Sequence, residues 1–289
     1  MSRIEALFAR KNPVFVGFTV AGDPDRETSF GVAKTMVDAG VDLLEIAVPY
    51  SDPVADGPVI ERAHVRALRA GTTPDDVFAL VRRVREYAPP LPLVLFTYYN
   101  IVYRRGVDRF FAEAAAAGAD GILIVDLPTE ESGEVAPSAL RHGIDRIVLV
   151  APTTSPERRQ KILGGASGFV YLISLEGVTG ERDHLPPNLA GLVGAVREKT
   201  DLPLAVGFGV SRPEHVAAVA AAGADGVIVR SALVRVIEEH PGDEAEDDGH
   251  EKPAHLVPSR RHGLVRRHVE TGIFLGLFGV SFYSMAYAE

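Results

Sequence analysis

The 289 residues contain no cysteine, which excludes disulfide bonds, thiolate nucleophiles and cysteine-ligated zinc sites. A surplus of positive charge is also missing. The formal net charge is -9, with no basic stripe in the first 230 residues. A nucleic-acid partner, whose phosphates require clustered Lys and Arg, is therefore not expected. The start, MSRIEALFARKNP, lacks an apolar core of the length a secretory signal needs. Together these absences predict a cytoplasmic protein. The remaining composition, 46% hydrophobic and 24% charged, is that of a globular chain able to bury a sizeable core.

A short repeat punctuates the chain: AGVD at Ala39 to Asp42, AGAD at Ala117 to Asp120, HGID at His142 to Asp145 and AGAD at Ala222 to Asp225. Each copy ends an amphipathic or alanine-rich run and begins an apolar one. That is the pattern of a helix closed by a left-handed glycine and followed by a new strand. Strands read as PVFVGFTV, DLLEIAV, LPLVLFTYY, DGILIVDL, DRIVLVA, GFVYLIS, LPLAVGF and DGVIVR. Helices fit between them, for example Asp25 to Ala39, Val59 to Ala70, Pro74 to Ala88, Val107 to Ala117 and Pro213 to Ala222. Strands apolar on both faces and separated by helices imply a parallel sheet. Eight such units by about residue 240 favour closure into a (β/α)8 TIM barrel over an open doubly wound sheet. Ser2 to Glu5, SRIE, is a capping box that predicts an extra helix ahead of the first strand.

In such a barrel the reacting groups lie at the C-terminal ends of the strands. The stretch LLEIAVPYSDPVADGP, Leu43 to Pro58, carries a glutamate inside an apolar strand and then a stiff acidic loop. Alternation puts Leu43, Glu45 and Ala47 on one face; if that face is the interior, Glu45 points toward the barrel mouth. Because a buried charge is costly without a partner, an ion pair with an arginine, or a loop cap, competes with a catalytic role. Asp56 has a stronger competitor, since DGPVIERA reads as an N-cap aspartate with Pro58 in the first helical turn.

The segment EIAVPYSDPVADGPVIERA resembles the signature of the tryptophan synthase alpha chain family: Glu, three residues, Pro, an aromatic, Ser-Asp-Pro, two residues, Asp-Gly-Pro. The likeness continues through FTVAGDPD, TYYNIVYRRGVDRF, VDLPTEES, YLISLEGVTG and GFGVS, in order, over residues 1 to about 240. It implies a lyase of tryptophan biosynthesis that cleaves indole-3-glycerol phosphate into indole and glyceraldehyde 3-phosphate by a retro-aldol step. Glu45 matches the family's general acid/base. Asp56 matches its second carboxylate, which accepts the indole N–H and offsets charge on the protonated ring. Tyr171 matches a tyrosine whose hydroxyl would orient the glutamate, a buried core tyrosine being the alternative. Gly207 and Gly209 in GFGVS, Ser231 in RSALVRV and Gly180 closing GVTG match the phosphate-binding positions, although a tight turn would explain an isolated glycine equally well. The resemblance further implies a pyridoxal-phosphate-dependent beta chain as partner in an alpha2beta2 assembly, with no cofactor or metal in this chain. The expected contact face is the Pro49 to Pro58 loop, with Asp52 and Pro53, together with Asn100 and the turn around Pro128.

Several features depart from the family pattern. Arg230 stands where glycine usually precedes the phosphate-binding serine. It could bind the phosphate, obstruct it or point away; obstruction or an outward direction is favoured, because glycine there reflects a backbone approach that no side chain can share. Ala47 replaces a common glycine, and Leu175 a residue that is often polar. After His240 the resemblance ends, which divides the chain into a lyase domain, 1–240, and a divergent tail, 241–289. The tail runs from an acidic linker, PGDEAEDDGHEKP, through a basic segment, SRRHGLVRRHVE, to the apolar Thr271 to Ala288. That order meets the minimum for a tail anchor, but its glycines, serines and tyrosines make a poor one. Packing on the barrel flank, or no native role, remain open, and no membrane partner is expected. The tail histidines match no metal-ligand spacing. A catalytically impaired alpha-like chain acting as an allosteric partner, and a different phosphate-handling barrel enzyme, are the competing functions.

Overall fold

The computed structural model describes residues 1–173, 188–207 and 209–240; Gly180, Leu175 and the tail lie outside the described residues. The apolar runs form β1 Val14–Val20, β2 Leu43–Ala47, β3 Leu93–Thr97, β4 Gly121–Ile124, β5 Asp145–Val150, β6 Val170–Ile173, β7 Leu204–Gly207 and β8 Gly226–Val229. They pair in parallel in chain order, and β1 pairs with β8, so the sheet closes into the barrel expected from the pattern. The helices Arg26–Asp38, Pro58–Arg69, Pro74–Tyr87, Val107–Ala117 and Pro213–Ala221 fall within a residue or two of their expected bounds. The run LPLVLFTYY stops being a strand at Thr97, because Tyr98 is the N-cap of a helix, Tyr99–Arg105.

The repeat has a double purpose. Gly40, Gly118, Gly143 and Gly223 all take positive φ, the left-handed turn that ends each helix. Three of the aspartates that follow, Asp42, Asp120 and Asp225, tie neighbouring strands together. Asp42 accepts the Phe15 N–H at 2.8 Å, Asp120 the Leu93 N–H at 2.8 Å and Asp225 the Leu204 N–H at 2.7 Å. Each carboxylate thus satisfies a backbone donor near the start of the preceding strand, a charge-assisted bond typically worth about 1.5–3 kcal/mol.

Alternation along β2 sorts its side chains into two cores. Leu43 and Ala47 join Val14, Val16, Phe18, Val94, Phe96 and Tyr171 inside the barrel. Leu44 and Ile46 pack outward against the helical layer. The helix Arg3–Arg10, begun by the Ser2–Glu5 capping box, pushes the fully buried Ile4 and Leu7 under the barrel. Beside them Phe8 packs on Phe169, 5.7 Å between centroids. Burying side chains of this size contributes about 1.5–3 kcal/mol each, and it closes the N-terminal end. The C-terminal mouth is left as the face where a substrate can reach the interior.

Candidate active site

Glu45 occupies the inner face of β2 beside Phe18 of β1 and Val94 of β3. It is fully buried, and neither carboxylate oxygen accepts a hydrogen bond. Its nearest opposite charge is Arg230, whose Nε lies 4.0 Å from Oε2, an ion pair without a hydrogen bond. Burial pushes the carboxyl pKa up to about 7; Arg230 works against the rise and Asp56 adds to it. A carboxyl group poised there exchanges protons in either direction near neutrality.

Asp56 does not cap a helix. The N-cap of Pro58–Arg69 is Gly57, which makes no side-chain capping bond, and Asp56 turns inward. The Tyr98 hydroxyl donates to its Oδ2 at 2.8 Å, and Arg230 donates to Oδ1 at 2.6 Å. His64 Nε2 stands 3.2 Å from Oδ2. Because His64 Nδ1 accepts the Tyr50 N–H at 3.2 Å, Nε2 is the nitrogen that carries the proton and donates to Asp56. Burial alone would raise the Asp56 pKa, but Arg230, His64 and Tyr98 together hold it below the ordinary carboxylate value. The two carboxyl groups are therefore driven apart, one toward neutral and one fixed as the anion, the signature of divided acid/base labour.

His64 and Tyr98 escaped the sequence reading. His64 lies on the buried face of its helix with Ile60, Ala63 and Ala67, and a histidine on an apolar stripe was the available signal. Tyr98 sits in the TYYN segment at the end of β3, ring-stacked on Tyr50 at 4.6 Å. Its hydroxyl also accepts the Ala55 N–H at 3.3 Å, which ties the acidic loop to β3.

Tyr171, on β6, is buried, and its hydroxyl pKa is raised mainly by that burial. The hydroxyl makes no hydrogen bond to Glu45, so the expected orienting contact is not made, and the charge that acts on it most is the Arg230 guanidinium. The aromatic ring also explains Gly207: a Cβ there would come within 2.5 Å of the Tyr171 hydroxyl. Gly209 has φ +57, a turn suited to glycine. Ser231 is buried as the first residue of the helix Ser231–Glu239, immediately after β8.

Arg230 corrects the outward-pointing reading. Its side chain is 10% exposed and enters the barrel, where the guanidinium carbon lies 4.3 Å from the Phe18 ring centroid and 4.2 Å from that of Phe96. Among the proposed contact residues, Asp52, Asn100 and Pro128 are exposed and Pro53 half-buried, on the loops after β2, β3 and β4 at the mouth. No cluster of metal-ligating side chains occurs among the described residues, nor any helix long and apolar enough to cross a membrane.

The family model for the tryptophan synthase alpha chain matches residues 4–257. The chain belongs to the tryptophan synthase alpha chain family. It is a lyase of tryptophan biosynthesis, cleaving indole-3-glycerol phosphate. It is 56% identical over 243 residues to the tryptophan synthase alpha chain of Methanoregula boonei, covering 84% of this chain and 91% of the relative. Against the alpha chain of Methanothermobacter thermautotrophicus the identity is 49%, with 84% and 90% covered. Among solved structures, the tryptophan synthase a2b2 complex of Pyrococcus furiosus superposes with a TM-score of 0.80 at 36% identity, covering 93% of this chain and 99% of that one. The Mycobacterium tuberculosis tryptophan synthase gives 0.76 at 40%, covering 82% and 92%.

Proposed function

We propose that Glu45 and Asp56 carry the cleavage of indole-3-glycerol phosphate. Neutral Glu45 delivers its proton to the ring carbon that bears the side chain. Asp56 accepts the indole N–H and offsets the positive charge that develops on the ring. Glu45, now ionised, takes the proton of the adjacent hydroxyl as the carbon–carbon bond breaks. The bonding pair returns to the ring, indole and glyceraldehyde 3-phosphate leave, and Glu45 ends protonated as it began. Gly207, Gly209 and Ser231 receive the phosphate at the ends of β7 and β8, where barrels of this type commonly bind it, and Gly180 joins them from outside the described residues. Tyr171 forms part of the wall. The observation that carries this reading is the contrast between the two carboxyls: a buried, unbonded Glu45 poised near neutrality and an Asp56 held as the anion.

The reading extends to the surroundings of the site. The lyase domain is residues 1–240, in the cytoplasm, with a beta chain that holds pyridoxal phosphate docked on Asp52, Pro53, Asn100 and Pro128. One relative's structure is described in terms of mutual activation within an a2b2 complex, which supports a rise in turnover on docking here too. A catalytically impaired alpha-like partner is the second reading, favoured by the Arg230 guanidinium on both carboxylates. Indole release from indole-3-glycerol phosphate, measured with and without a beta chain, decides. Release that increases with the beta chain is expected; no release in either case leaves the impaired partner as the answer.

A further inference from the structure

The ring of the substrate has to lie between two groups, with its N–H toward Asp56 and its reacting carbon toward Glu45. That space is filled. The Arg230 guanidinium donates to Asp56 at 2.6 Å and stands 4.0 Å from Glu45. It packs over both Phe18 and Phe96, whose rings meet edge to face at 5.7 Å and form an aromatic corner. A planar cation held in an aromatic corner takes the place that a planar aryl ring needs. The backbone of Arg230 is at the same time the N-cap of the helix Ser231–Glu239, beside Ser231 and just past the end of β8, which pairs with β7. A side chain anchored there can reach either the carboxylates or an anion at the helix start.

We infer that Arg230 makes the substrate's phosphate a condition for seating its ring: at rest the guanidinium fills the aryl slot, and an incoming dianion draws it out to the phosphate side. The inference rests on the proposed reading of this site as the one that holds indole-3-glycerol phosphate. Arginine suits the exchange because its planar fork bonds carboxylate and phosphate alike, and a dianion is the stronger attractor. Asp56 is not stranded when the guanidinium leaves. Tyr98 and His64 remain on it, and the indole N–H takes the vacated Oδ1. Departure also prepares the acid, since Arg230 is the charge that works to keep Glu45 ionised. Ring entry and protonation of Glu45 are thus set by the same movement. A ring without a phosphate meets an occupied slot and two neutralised carboxylates, which makes Arg230 a specificity-determining residue of the site.

The test separates the two halves of the substrate. Binding of indole, a ring without phosphate, and of glycerol 3-phosphate, a phosphate without ring, is measured by calorimetry singly and together. In the wild-type chain, saturating glycerol 3-phosphate is expected to tighten indole binding by about ten-fold, within the usual range of coupling between sites, and indole to tighten glycerol 3-phosphate equally. In Arg230→Gly, indole alone should bind about ten-fold more tightly than to wild type, with the coupling gone. Indole affinity in the wild type that is indifferent to glycerol 3-phosphate overturns the inference, as does undiminished coupling in Arg230→Gly. The wild-type measurement decides even if the variant fails to fold. Turnover of indole-3-glycerol phosphate without any coupling removes this inference alone, whereas coupling without turnover removes the proposed catalytic reading and leaves the gate.

Discussion

At Glu45 the burial that enables proton exchange also weakens the fold. An unfolded glutamate titrates near 4.5, whereas here the pKa is pushed up to about 7. Between those two pH values the folded chain keeps a proton that the unfolded chain has released, so stability falls as pH rises through the window and levels off above it. Glu45→Gln keeps the shape and has no proton to lose. It is expected to melt at the wild-type temperature at pH 4 and at least about 3 °C higher at pH 8, read by calorimetry. Equal melting temperatures at pH 8 would show that Arg230 already compensates the buried charge. Glu45 and Asp56 were legible in the sequence because their spacing sits in a long family signature. The inward direction of Arg230 was not, because a long side chain at a strand end has several rotamers, and the carboxylates that draw it inward are remote in sequence. His64 and Tyr98 were missed for a related reason. They meet Asp56 only once β3 lies beside β2 and the helix Pro58–Arg69 folds back over the mouth.

Among the elements, the strands and the helices between them followed from apolar runs and glycine stops, since both are local signals. What periodicity could not show was the function of the aspartate that follows each glycine. At Asp42, Asp120 and Asp225 it pairs with a backbone N–H supplied by another strand, as Asp120 does with Leu93. Asp120 also receives Arg3 at 2.8 Å and Arg85 at 2.6 Å, so it joins the N-terminal helix, the helix Pro74–Tyr87 and β3. Its side chain is nearly buried. Asp120→Ala should therefore lower the unfolding free energy by roughly 2–3 kcal/mol, because it strands the buried Leu93 N–H and removes the counter-ion of the half-buried Arg85 guanidinium. Urea denaturation with an unchanged slope is the appropriate measurement. A loss below about 0.5 kcal/mol, the range of neutral surface changes, would mean that the aspartates of the repeat are not structural ties.

For the whole molecule, a barrel plugged by Ile4 and Leu7 at one end directs its polar interior toward the other, where the loops after β2, β3 and β4 form one exposed rim. The proposed chemistry and the proposed docking therefore share a face, and the family membership supplies the reaction. The proposed mechanism depends most on proton transfer at one carboxyl group: Glu45 gives its proton to the ring and takes another from the hydroxyl. Steady-state indole release by Glu45→Gln at pH 7, on protein shown by its melting curve to be folded, tests that transfer directly. The account predicts no detectable release, because the amide holds the shape of the carboxyl and carries no transferable proton. Release above a tenth of the wild-type rate would contradict it.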